Sequence, residues 1–296
     1  MVIAGLGLLV VLDMWPVDRR FFSERLFRTS QNNDEAYEEQ PWETEILQAP
    51  GFFRVLNLST GQAYTEARTS LRLHSVGGYS AAKLRRYQDL IDEHLLQGHL
   101  SVVNMLNAQY LVMNDEKGVP QASLNPDAMG NAWFVDEISA MPDEEMELFA
   151  LDAIDLKTKA VVSGEAARYA TSSATTTLRT PDPERYVRLT GHTPDSREYS
   201  FCSDNPEYVV FSEIYYPYGW KVTVDGKKAE YFRANYALRA MFVPAGRHDI
   251  RFVFDPDSVK KGDRLALCFI LLLYLAVAGI AGTAVVRQLR SRRPRP

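Results

Sequence analysis

A chain of 296 residues, 46% apolar and 24% charged, has room for about two domains and is too apolar to be a disordered chain. The formal net charge is −5, yet the last ten residues, "RQLRSRRPRP", hold five arginines and no acid, so the remainder sums to −10 (−5 minus +5). The basic residues form a tail rather than a folded face, which excludes nucleic acid as the expected partner.

Val2–Leu12 is apolar but about half the length that spans a bilayer as a helix. It lacks the basic start and the cleavage site of a secretory signal. Trp15, Phe21 and Phe22 suit a membrane interface, whereas Asp18, Arg19 and Arg20 suit water. Residues 1–16 are read as a partial transmembrane segment, the end of a longer polytopic protein; a short uncleaved anchor is the alternative.

Residues 17–170 read as a mixed α/β domain. Gln31–Glu45 is acidic and expected to be a solvated linker or frayed helix. Gly51–Leu58 is strand-like, and Gly77-Gly78 permits a sharp turn. Ser80 is expected to cap a helix whose apolar stripe is Leu84, Tyr87, Leu90, Ile91 and Leu95, ending at Gly98. A short helix over Val102–Asn107 leads into the strand "AQYLVM", and Asn131–Ile138 reads as one more strand. Pro142 suits the first position of a helix with Asp143, Glu144 and Glu145 in its first turn.

The composition changes at "ATSSATTTLRTPDPERY". Roughly seven short strands follow, so residues 171–260 are expected to form an antiparallel β-sandwich. Trp220, Val222 and Val224 alternate with Lys221 and Thr223, which puts Trp220 on the core face, and Asp225-Gly226 is a type I′ hairpin signal. Residues 265–286 carry no charge and are long enough for one transmembrane helix. The basic tail, 287–296, is then cytoplasmic and the folded region extracytoplasmic. The fold class expected is an α+β extracytoplasmic region ending in a β-sandwich, followed by the transmembrane helix.

Candidate chemistry is sparse. The two cysteines, Cys202 and Cys268, have neither disulfide-framework nor metal spacing. Ser80–Lys83 matches S-x-x-K and Ser203-Asp204-Asn205 matches S-D-N, but K-T-G is missing and Ser80 is better explained as a cap. His94 and His99 are five apart, which does not align them on a helix face as a four-residue spacing would; surface or helix-end positions are expected. The acids Asp136 to Glu147 lack calcium-loop spacing. Two binding candidates remain. Tyr216 and Tyr218, with Arg233 and Asn235 across the hairpin, could stack on and hydrogen-bond a sugar, although aromatic residues also simply fill strands. Tyr79, with Arg85 and Arg86 at a glycine turn before a helix, could hold an anion, although an ordinary packed helix is the alternative. No catalytic residue, metal or cofactor is assigned.

"DMWPVDRRFF", "SVGGYSAAKLRRYQDLID", "NMLNAQYLVMND", "NAWFVDEI" and "YYPYGWKVTVDGKKAEYFRANYALRAMFVPAGRHDIRFVF", in this order and followed by a final span, resemble the C-terminal part of the YfhO-like bacterial membrane proteins. That family resembles GT-C-type glycosyltransferases, some implicated in adding sugars to cell-envelope polymers from polyprenyl-phosphate donors. The resemblance implies a cytoplasmic-membrane protein whose partners are the bilayer, a polyprenyl-phosphate sugar or envelope glycan, and an upstream polytopic portion. The family's catalytic acid lies in an early loop between N-terminal spans, so none is carried over, and the chain alone is not expected to be catalytic. The expected role is the extracytoplasmic C-terminal module of such a system; the alternative is a free-standing, membrane-anchored carbohydrate-binding or assembly module.

Overall fold

The computed structural model describes residues 2–21, 37–170 and 184–291. Phe22, residues 31–36 of the acidic segment, the composition change over 171–183 and the last five residues of the basic tail lie outside them. Two compact units interleave along the chain: residues 1–51, 55–79 and 110–124, and residues 52–54, 80–109 and 125–296.

In the first unit, α1 (Val2–Phe21) runs as one helix through Pro16. α2 (Pro41–Leu47) falls in the segment expected to be a solvated linker or frayed helix. The proline opens it, and Gln40 and Glu43 form a reciprocal capping box. Trp42 and Glu43 are buried, and the Glu43 carboxylate meets Arg68 at 3.4 Å and Arg72 at 3.8 Å. The expectation of a solvated linker or frayed helix suits the exposed Glu38, Glu39 and Glu45 but not Glu43, whose charge turns inward onto arginines 25 and 29 residues later. β1 (Arg54–Asn57), β2 (Ala108–Asn114) and β3 (Pro120–Leu124) form a three-stranded sheet. Gly78 has φ +103°, and a Cβ on Gly77 would stand 1.7 Å from the Ala63 carbonyl oxygen, so this turn needs both glycines.

The second unit starts with α3 (Arg85–Leu90), which passes directly into a π-turn, Ile91–Leu95. Ser80 is not its cap: the hydroxyl accepts from the Ala82 N–H within a turn, and Leu84 occupies the N-cap position. The stripe is buried at Leu90, Ile91 and Leu95, and Gly98 closes the segment at φ +77°. α4 (Leu100–Met105) follows. The Asn131–Ile138 stretch divides into β4 (Ala132–Val135) and β5 (Glu137–Ala140), which join different sheets. α5 (Glu144–Phe149) is capped by Asp143, whose side chain accepts from the Met146 N–H; Pro142 lies before the cap rather than at the first helical position. β6 (Lys159–Val162) pairs in parallel with β5, and a 3-10 turn, Gly164–Tyr169, follows.

β7 (Tyr186–Thr193), β8 (Ser196–Ser203), β9 (Glu207–Ile214), β10 (Trp220–Val224), β11 (Lys227–Lys228), β12 (Phe232–Ala234), β13 (Leu238–Val243) and β14 (Gly246–Phe254) complete two antiparallel sheets. Their orders are β11-β10-β14-β8-β7 and β12-β13-β9-β4. The "KKAEYFRANY" stretch is therefore divided between the two sheets, β11 in the first and β12 in the second. Asp225 (φ +50°) and Gly226 (φ +75°) form the expected two-residue hairpin loop. One apolar cluster draws on both sheets: Tyr199, Phe201, Val222, Ile250 and Phe252 from the first, and Val209, Phe211, Met241 and Val243 from the second. Full burial of a ring such as Phe201 or Phe211 is worth roughly 1.5–3 kcal/mol relative to exposure. Trp220 is half-buried against this cluster rather than inside it.

α6 (Asp257–Ser291) follows β14 after two residues. Within its Asp257–Ala284 stretch the most apolar 18 residues have mean hydropathy 2.6, and none of them is buried. The ~20 residues that suffice for a bilayer crossing are exceeded. It is long and apolar enough to cross a membrane, and its bare apolar surface suits lipid rather than water.

Candidate functional site

A cleft of about 240 Å³ in the second unit is lined by Glu144, Ser163, Arg168, Tyr169, Tyr231 and Arg233, with Tyr215 and Glu165 alongside. Its floor is built around a buried carboxylate. Glu147 of α5, fully buried, accepts from Arg233 Nη1 at 2.7 Å, from the Ser163 hydroxyl at 2.5 Å and from the Tyr236 N–H at 2.8 Å. A buried charge persists only when paired and hydrogen-bonded in this way.

That carboxylate also holds a strained turn. Asn235 and Tyr236, between β12 and β13, have φ +48° and +66°, values that side-chain-bearing residues adopt uncommonly. The Tyr236 N–H is tied to Glu147. Asn235 donates its N–H to the Val161 carbonyl at 2.8 Å, and its amide oxygen accepts from the Val161 N–H at 3.0 Å. The turn is thus clamped from two sides, which fixes the arginine just before it.

The walls are aromatic. Tyr169 stacks on Phe232 with ring centroids 4.0 Å apart and planes at 10°. Arg168 lies 4.9 Å over the Tyr169 ring and donates to its hydroxyl, which donates in turn to Glu230. That bond holds the Arg168 guanidinium further toward its charged form. Tyr215 and Tyr231 face each other at 5.5 Å, and the Tyr231 hydroxyl donates to the Tyr216 carbonyl. Burial raises the Tyr231 hydroxyl above its ordinary value, so it stays a neutral donor at physiological pH. Tyr236 is pushed up to about 12 by burial and by its hydrogen bond to Asp89. The arrangement offers ring faces, hydroxyl groups and paired charges, the equipment of a binding surface for a polar, ring-shaped ligand.

Arg233 lines this cleft. Asn235 is wholly buried and builds the turn behind it. Tyr216 and Tyr218 pack edge-on at 5.5 Å outside the cleft, with Tyr218 70% exposed. Arg86 pairs with Glu144 and lies 4.9 Å over the Tyr236 ring. Arg85 makes an exposed pair with Asp89 at 2.8 Å. Tyr79 is 72% exposed, and because α3 begins only at Arg85, no helix N-terminus opens beside it as expected.

Tyr169, Tyr231 and Arg168 were not singled out from the sequence. Tyr215 opened the quoted aromatic run, but Tyr169 and Arg168 sit 62 and 63 residues before Tyr231 with no periodic signal to join them. His94, in the last turn of the π segment, and His99, the N-cap of α4, hold the helix-end positions expected of them. His94 is buried, and its Nδ1 is 2.9 Å from Nδ1 of His99. The turn that closes the segment explains this: Gly98 is at φ +77° and the His99 N–H donates to the His94 carbonyl at 3.1 Å. Among the described residues no group of three His, Cys, Asp or Glu side chains could hold a metal. Ser203 is buried and donates to Glu207, and both cysteines are free. Comparison with family models, curated proteins and solved structures found no match.

Proposed function

We propose that this chain is a membrane-anchored, extracytoplasmic module of the bacterial cell envelope, built as a β-sandwich on a transmembrane helix, whose tyrosine cleft contacts a glycan. The observation that carries the reading is the cleft itself: Tyr169, Tyr215 and Tyr231 stand around Arg168 and Arg233 on a floor held by Glu147. Sugar rings present apolar faces to aromatic rings and hydroxyl groups to tyrosines and paired charges. α6 supplies the anchor, and its arginine-rich end favours a cytoplasmic C-terminus. With the motif order that resembles the YfhO-like proteins, the role is the C-terminal support of glycosyl transfer to an envelope polymer, without the catalytic step.

The test is titration of the full chain in lipid nanodiscs with envelope oligosaccharides. Binding is expected for the parent and reduced at least tenfold for Tyr231→Ala and Tyr215→Ala, with Tyr218→Ala unchanged. Equal binding by all four, or none by the parent, removes the glycan reading. Topology is tested by a reporter after Pro296, expected inside, and one inserted at the exposed Asp225-Gly226 turn, expected outside.

A further inference from the structure

At one end of the shared apolar core, apart from the cleft, three arginines gather on one carboxylate. Glu213 of β9 meets Arg54 at 3.5 Å and Arg197 at 3.3 Å. Arg239 of β13 is 3% exposed, donates its Nε to the Ile214 carbonyl at 3.1 Å, and lies 3.9 Å over Trp220 and 5.4 Å over Phe252. Both Arg54 and Arg197 spend their Nη1 donors on backbone carbonyls, those of Leu106 and Ser212 and those of Thr193 and Ser196. Neutral carbonyl groups satisfy hydrogen bonds but cancel no net charge. Three guanidinium groups against Glu213 leave a formal excess of +2 (three minus one).

Among the described residues, two donors in this cluster have no partner. Arg239 Nη1 and the Tyr199 hydroxyl are buried and unpaired. Tyr199 is 2% exposed, and its electrostatic neighbours are Glu213, Arg239, Arg197 and Arg54, the members of the same cluster. A buried donor without an acceptor is costly, and an uncompensated buried charge costs more. A water molecule would satisfy the donors and leave the charge. A small anion would satisfy both.

We propose that this cluster is a binding site for a monovalent, halide-sized anion, chloride in a physiological medium, held by Arg239 Nη1 and the Tyr199 hydroxyl in the field of Arg54 and Arg197. Tyr199 and Arg197 belong to one sheet and Arg239 and Glu213 to the other, so the ion ties the two sheets together. The Arg239 guanidinium lies against Trp220 and Phe252 and is 3% exposed, so an ion held there is shielded from bulk water.

The full chain in detergent is melted in sodium chloride, sodium bromide and sodium gluconate at equal ionic strength. A ligand that binds only the folded state raises the melting temperature with its concentration. The expected result is a saturable rise of a few degrees in chloride and bromide over gluconate, abolished in Arg239→Gln and reduced in Tyr199→Phe. Crystals grown with bromide should show an anomalous peak within hydrogen-bonding distance of Arg239 Nη1. Because Arg239→Gln could fail to fold, the bromide crystal of the unaltered chain stands as an independent measurement. Identical melts in the three salts, or a site occupied by water only, overturn the proposal.

Discussion

Arg233 on β12 and Arg239 on β13 are direct cross-strand partners, yet the protein treats them oppositely. Two like charges in that position repel, so each must find its own compensation. Arg233 has a full set: the Glu147 carboxylate, the Ser163 hydroxyl, the Tyr236 carbonyl and the rim carboxylate of Glu144. Arg239 has one backbone carbonyl, two aromatic faces and an unpaired Nη1, and burial lowers its affinity for its proton. The difference follows from which element covers each arginine. A helix brings an acid to the first; the second is roofed by Trp220, which offers a ring face but no charge.

The sharpest way to break this comparison is to remove the acid that serves Arg233. Glu147→Gln should cost on the order of 3–5 kcal/mol, because it leaves a buried guanidinium with only the exposed Glu144 carboxylate at 3.5 Å as counter-charge, and chemical denaturation of the full chain would read it. A loss below 1 kcal/mol would mean that Arg233 is solvated and the floor of the cleft is not fixed as described. Next in size is Trp220→Ala. A fully buried ring is worth about 3–5 kcal/mol; this one is half-buried, so about 2–3 kcal/mol is expected, with Arg239 newly open to solvent. Tyr218→Ala at the exposed edge should stay within about 0.5 kcal/mol. If the two melts came out reversed, Tyr218 rather than Trp220 would be the ring packed against the core.

A smaller effect tests the histidine pair. A carbonyl oxygen can only accept, so His94 must donate from Nε2 to Leu148, and its Nδ1 must accept from Nδ1–H of His99. His99→Ala leaves that buried Nδ1 without a donor and should cost about 1–3 kcal/mol. Nitrogen chemical shifts in the parent should show opposite Nδ1 protonation in the two rings; matching tautomers would contradict the assignment. The mildest test is alkaline. Tyr236 is neutral in the folded state up to about 12, against an ordinary 10.0. The folded chain then holds a proton that the unfolded chain has lost, so this contribution to stability is whole below about pH 10 and fades as pH climbs to about 12. Tyr236→Phe should flatten that slope in denaturation curves measured across the window.

What the sequence made legible was local. Asp225-Gly226 announced its hairpin because only a few residues tolerate that backbone. The apolar run of α6 announced itself by length. The alternation around Val222 placed that residue in the core. What stayed hidden was set by distant partners. Nothing near Glu43 says that Arg68 and Arg72 will bury it, and nothing near Glu147 points 86 residues ahead to Arg233. The cleft was half visible: Arg233 was named, but the ring stacked on its neighbour Phe232 is Tyr169, which arrives from a 3-10 turn before residues 171–183. The cap at Ser80 misled because an ideal α-helix was laid over a segment that begins later, at Arg85, and widens to a π-turn.

The junction between β14 and α6 is only Asp255 and Pro256, and it is braced on every side. Asp255 donates its N–H to the Gly219 carbonyl at 2.7 Å, Lys221 reaches both Asp255 and Asp257, and Lys260 reaches back to Asp255. A Cβ on Gly219 would fall 2.8 Å from Phe254 and from Pro256, so the backbone is pressed against the joint itself. Such a joint behaves as a stiff lever rather than a swivel. Tilting or pulling of the helix would load β14, which lies in the middle of its sheet between β10 and β8, along its whole length at once. Because the brace consists of exposed ion pairs, its stiffness is the property that the salt around it can tune.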